Sequence, residues 1–150
     1  MKLNFTPAKD AIKNYEDSKL AKSETKDCVV RAFAAAFDIE YDKAHAFVGK
    51  EFGRQFRKGT QRFNQTMTKL ANDRRRLNYK LIKTISSTTM KRGTGRMTVG
   101  SFVKDWDKGT YIIVITGHAF TVRDGEVIGG NSCDASRMRC IVKGVWKIGK

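Results

Sequence analysis

Residues 110–131, Thr-Tyr-Ile-Ile-Val-Ile-Thr-Gly-His-Ala-Phe-Thr-Val-Arg-Asp-Gly-Glu-Val-Ile-Gly-Gly-Asn, leave this chain few folding options. Tyr111 to Ile115 is an apolar, β-branched run of the kind that fits a buried strand. Beyond Gly117, two strand-like runs flank Asp124-Gly125. An Asp-Gly pair in that setting signals a two-residue hairpin with a type I′ turn. Counting outward from a tight turn, Arg123 faces Glu126, Val122 faces Val127, Thr121 faces Ile128, Phe120 faces Gly129 and His118 faces Asn131. Alternation of side chains then places His118, Phe120, Val122, Val127, Gly129 and Asn131 on one face. Directly opposite residues have Cβ atoms about 5 Å apart, within reach of an amide–imidazole hydrogen bond. The hairpin is therefore expected to hold His118 beside Asn131.

A second feature lies upstream. Between Cys28 and Phe37 the single charged residue is Arg31. A helix apolar on nearly every side is buried on nearly every side. Asp27 and Thr25 are both N-cap candidates, which places Cys28 in the first helical turn. There the positive end of the macrodipole favours a thiolate, although a buried Cys is also an ordinary core residue. Residues 41–52 repeat an amphipathic pattern. His45 within them is expected to be a surface or packing residue. Residues 98–106 read as a short helix capped by Thr98, residues 132–136 as a loop, and residues 138–148 as a last strand. Residues 1–26 are polar, with six Lys and four acids, and residues 8–20 are expected to form a loose first helix.

At 150 residues the chain is expected to be one domain with a real core. A hydrophobic content of 40% argues against disorder. No apolar run approaches the roughly 18–20 residues of a membrane helix, and the start of the chain turns polar too soon for a secretory signal. Three cysteines without disulfide-dense spacing suggest reduced thiols and a cytoplasmic home. Cys133 and Cys140 form no C-x-x-C, so no metal or cofactor is expected.

Charge is the unusual quantity. The chain carries +15, and residues 54–96 hold thirteen Lys and Arg against one acid, Asp73. Phe56, Phe63 and Tyr79 are interleaved with them. In this segment residues 62–72 read as a helix, 79–85 as a strand and 86–96 as a loop. Such clustering favours an anionic partner, an acidic protein or nucleic acid. Arg54, Arg57, Lys58, Arg62, Arg74, Arg75, Arg76, Lys91 and Arg92 are the candidate anion-binding residues. The alternative is a solvated basic face whose aromatics pack inward. Gly93-Thr-Gly95 lacks the following Lys-Ser/Thr of a phosphate loop.

The order is thus a Cys leading a buried helix, a His on an antiparallel strand and an Asn opposite it. In thiol catalysis the thiolate attacks, the imidazole takes and returns the proton, and the third group fixes the ring. Asp27-Cys28-Val29-Val30-Arg31-Ala32 and Thr116-Gly117-His118-Ala119-Phe120-Thr121-Val122 resemble the papain-like cysteine peptidase superfamily. They look most like its small bacteriophage-type members. The resemblance covers roughly residues 23–38 and 98–131. It implies an α+β, papain-like fold, a helical N-terminal half with a buried Cys-bearing helix packed on a C-terminal antiparallel sheet. Residues 54–96 would be a basic insertion or surface segment. It also implies catalytic Cys28, His118 and Asn131, thiol-dependent hydrolysis of a peptide or isopeptide bond in an acidic or nucleic-acid-associated substrate, and action in a host cytoplasm if the protein is a phage's. The superfamily commonly has a Gln before the Cys for the oxyanion, and this chain has none there. Ser23, Thr25 or a backbone N–H, including that of Cys28, are the substitutes. Asp134 or Asp124 are alternatives to Asn131, with Asp124 disfavoured by its distance at the hairpin tip. Two further readings are a core His118 satisfied by Asn131, and a catalytically inert binding protein gripping nucleic acid or an acidic host protein through residues 54–96.

Overall fold

The structure, a computed structural model, describes residues 3–72, 85–87, 97–130 and 132–149. Its centre is the run read as strands. β3 (Thr110–Ile115) and β4 (His118–Arg123) pair antiparallel with Ile115 opposite His118 across the Thr116-Gly117 turn. β4 then pairs antiparallel with β5 (Glu126–Ile128), Arg123 opposite Glu126, Val122 opposite Val127 and Thr121 opposite Ile128. Asp124 and Gly125 both have positive φ, 50° and 83°, as a type I′ turn demands. The expected ladder ends early, however. β5 stops at Ile128, because Gly129 adopts φ 78° and its N–H donates to Thr6 O at 2.9 Å. The Phe120–Gly129 pairing is thus not made, and Asn131 lies outside the described residues.

Thr6 belongs to an unexpected strand, β1 (Asn4–Thr6), parallel to β5. On the other side β3 pairs with β6 (Gly144–Ile148), which pairs in turn with β2 (Ile85–Ser87). The sheet is six-stranded and mixed, ordered β1-β5-β4-β3-β6-β2. Residues 86 and 87, read as loop, belong to β2, and residues 79–84 lie outside the described set.

The continuous apolar run of β3 has a simple cause: the sheet is covered on both faces. Ile112, Ala119, Ile128 and Trp146 join one core cluster, built around Phe33 and Phe37. Tyr111, Ile113, Phe120, Val122 and Val145 join another with Phe102. The first cluster is supplied by α1 (Ala8–Ala11), α2 (Lys19–Ser23), α3 (Cys28–Phe37), α4 (Tyr41–Phe52) and α5 (Phe63–Asn72), and the second by α6 (Val99–Asp105). The α+β class follows. Thr98 caps α6 as expected, accepting from Ser101 N at 3.1 Å.

Two expectations need correction. The helix read over residues 8–20 is broken into α1 and α2. Asn14 sits at φ 56° and accepts from Tyr41 N at 2.8 Å, while Ser18 caps α2 through Ala21 N. Both are residues that favour turns and caps over helix interiors. The strand read over 138–148 is shortened to β6. Upstream of it the carbonyls of Met138 and Cys140 accept from Gly100 N and Val99 N, so this backbone is committed to the start of α6.

α3 and β4 set the geometry of everything that follows. Thr121 Oγ1 donates to Ala32 O at 2.7 Å, and Arg123 donates to Ala35 O at 2.9 Å. Two strand residues advance about 6.7 Å and one helical turn about 5.4 Å, so alternate residues of β4 meet successive turns of α3. Ala32, Ala34, Ala35 and Ala36 keep the helix thin enough for this approach. Among the described residues no helix is long and apolar enough to cross a membrane.

Candidate active site

Cys28 is the first residue of α3. Asp27 occupies the cap position, but its side chain makes no cap hydrogen bond. It instead accepts from Tyr41 Oη at 2.7 Å and pairs with Arg31 Nε at 3.2 Å. The helix therefore begins without a side-chain cap, and its positive end bears on Cys28.

The same strand–helix contact that bonds Thr121 to Ala32 brings Ala119 and His118 to this helix end. Cys28, His118 and Ala119 line the same cleft, with the ring and the Ala119 N–H near enough to act on the thiol electrostatically. His118 Nε2 donates to Asp134 Oδ1 at 2.7 Å, leaving Nδ1 for the thiol. Asp134 sits in a 3-10 helix (Ser132–Ser136) that replaces the expected loop, and its side chain is fully buried. Arg137 Nε lies 3.5 Å from the same carboxylate oxygen, and Leu3 N bonds Ala135 O, tying this turn to the residue ahead of β1. A Cβ added at Gly130 would fall on the Asp134 carboxylate, so only glycine leaves room for it.

The electrostatics follow from these bonds. Burial pushes the Cys28 thiol up, but the hydrogen bonds of His118 and Ala119 and the positive charge of His118 and Arg31 outweigh it, and the net shift is downward. The Asp134 bond, then the Cys28 bond, raise His118 against its burial to about 9. Each partner thus favours the charged form of the other. The described structure offers Cys28, His118 and Asp134 as the constellation, with Asp134 in the orienting place for which Asn131 was the first choice.

A cleft of about 780 Å³ opens on this pair, lined by Cys28, His118 and Ala119 on one wall and by Thr60, Phe63 and Gln65 on another. Thr25, one of the substitutes for the missing Gln, donates to Arg57 O at 3.3 Å. Gln65 is an exposed amide in the cleft that sequence order alone did not single out, because it follows Cys28 rather than precedes it.

The candidate anion-binding residues divide. Arg54 is not on a basic face. It is 9% exposed, with a bidentate bond to Glu24 at 2.8 and 2.9 Å. Glu24 also meets His45 Nε2 at 2.5 Å and accepts from Arg57 N, so His45 is a packing residue with a definite partner. Arg57 and Lys58 are exposed, and Arg62 is exposed in the cleft. Arg74, Arg75, Arg76, Lys91 and Arg92 lie outside the described residues. Lys26 and Arg31 line the cleft and were not among the candidates. Cys133 is exposed and Cys140 half-buried, with Arg137 beside Cys133 at 4.0 Å.

A scan against protein-family models, a search of curated proteins and a search of solved structures each give no match to this chain.

Proposed function

We propose that the protein is a thiol-dependent hydrolase of papain-like type, acting on a peptide or isopeptide bond. The observation that carries this reading is the placement of Cys28, at the start of α3, and His118 in one cleft, with the His118 ring bonded to the buried Asp134 carboxylate. In the reaction, Cys28 Sγ attacks the scissile carbonyl and an oxyanion forms. His118 gives its proton to the departing amine as the C–N bond breaks, leaving a thioester. His118 then takes a proton from water, whose oxygen attacks the thioester, and the acid and thiol are released. The Cys28 N–H at the uncapped helix start and the Gln65 amide are the donors that the cleft supplies for the oxyanion.

The decisive experiment is iodoacetamide labelling against pH, each cysteine resolved by mass spectrometry, in the wild type and in His118→Ala. Cys28 is expected to label fast well below the ordinary thiol range near pH 8.5 and to lose that reactivity in His118→Ala. A Cys28 that labels only at alkaline pH, indifferent to His118, defeats the reading. The inert binding protein then becomes the better one, favoured by the exposed Arg57 and Lys58. In that case charge reversal at Arg74, Arg75 and Arg76 abolishes function and Cys28→Ala does not.

A further inference from the structure

The walls of the cleft carry three cations, Lys26, Arg31 and Arg62, and no Asp or Glu among the described residues. Arg31 is held to Asp27, while Lys26 and Arg62 are exposed. Both exposed residues have left-handed backbones, φ 54° and 52°. A side chain in that region costs roughly 1 kcal/mol that glycine avoids, and such strain is retained where a particular side chain is needed. Thr60 lines the same cleft. Its Oγ1 is buried without a hydrogen-bond partner among the described residues.

We propose that the cleft selects an acidic peptide segment, with carboxylates on the residues flanking the bond that Cys28 attacks and Lys26 and Arg62 as the selecting side chains. This rests on the hydrolase reading above. A guanidinium and an ammonium meet carboxylates by charge-assisted hydrogen bonds, Arg62 in a fork and Lys26 as a point charge. The cleft volume falls within the range of about 300–1,000 Å³ that takes a ligand-sized segment. Nucleic acid fits less well. Single strands are gripped by stacking on exposed aromatics, and among the described residues Phe56 is the exposed large hydrophobic, outside this cleft.

The test uses peptidyl vinyl sulfones that differ only in bearing Asp, Asn or Lys at the two residues before the electrophile. Cys28 Sγ adds to the vinyl carbon and a proton goes to the carbon beside the sulfone, so labelling reports binding in the cleft. Rates are expressed relative to iodoacetamide labelling of the same protein. The Asp probe is expected to label wild-type Cys28 about tenfold faster than the Asn probe, the Lys probe slowest, as about 1.4 kcal/mol from two exposed cations gives. The order is expected to reverse in the Lys26→Glu, Arg62→Glu double variant. Both positions are exposed, and the milder Lys26→Gln, Arg62→Gln pair is expected to level the three rates. Equal rates in the wild type, or an unchanged order in the variants, overturn the proposal while leaving the hydrolase reading standing. A short single-stranded oligonucleotide that blocks labelling better than an acidic peptide of equal charge overturns it in favour of nucleic acid. A Cys28 inert to iodoacetamide brings down the hydrolase reading itself.

Discussion

Gly130 determines how Asp134 can sit, and Asp134 determines how His118 can act. Because an added Cβ would occupy the place of the carboxylate, Gly130→Ala is expected to turn Asp134 off the ring. The pH profile reads this directly. The folded state raises His118 to about 9 from an unperturbed value of about 6.5. The imidazolium, and the stability it adds, is therefore fully present below about 6.5 and is lost as pH rises through 9. Wild-type turnover is expected to be bell-shaped with an alkaline limb near 9, belonging to the coupled thiol–imidazole pair. In Asp134→Asn the limb is expected to move down toward 6.5 and kcat/KM to fall by about 10²–10⁴-fold, as when the orienting group of a triad is replaced. Gly130→Ala is expected to follow in the same direction. Asn131→Ala is expected to leave the limb in place, and a shift there as large as that of Asp134→Asn would return the orienting role to Asn131.

Among the elements, Glu24 joins the turn ahead of α3 to α4 and to the segment that follows it. Burial works to raise its carboxyl, but bonds from Arg54, His45 and the Arg57 N–H hold it down at about 2. A depressed carboxyl contributes stability above its unfolded value of about 4.3, lost as pH falls toward 2. Denaturant midpoints measured from pH 5 to pH 2 are expected to fall across that window by the equivalent of about 2–3 kcal/mol. Glu24→Gln is expected to be less stable at pH 7 and to lose much of that dependence. The elements also differ in how far the sequence disclosed them. The Asp124-Gly125 register and the Cys28 helix were legible because turn chemistry and an apolar run are local properties. β1 was not, since Asn-Phe-Thr is too short for a period and its partner lies about 120 residues away. The end of β5 was hidden for the same reason. Gly129 bends to meet Thr6, and without β1 nothing in the hairpin marks Ile128 as its last residue. Asp134 was an alternative on spacing alone; its place beside His118 depends on a 3-10 turn anchored to Leu3. Arg54 looked like part of a basic face because a buried ion pair with Glu24 leaves no mark at a separation of 30 residues.

For the molecule as a whole, +15 on 150 residues is a load that the fold carries through repulsion. Added salt screens it, with a Debye length of about 30 Å at 0.01 M and about 8 Å at 0.15 M. The melting temperature is expected to rise by roughly 2–5 °C between those two concentrations. A Tm indifferent to salt would mean that the cations are locally compensated, as Arg54 is by Glu24. The parallel pairing of β1 with β5 has a consequence of another kind, during synthesis. Asn4 must wait for Glu126 to leave the ribosome, roughly 6–25 s at 5–20 residues per second. Cys28 waits nearly as long for His118 and Asp134. On the proposed hydrolase reading, the nascent chain therefore carries an ordinary thiol, and the activated one comes into being only when the last third of the polypeptide has closed the sheet.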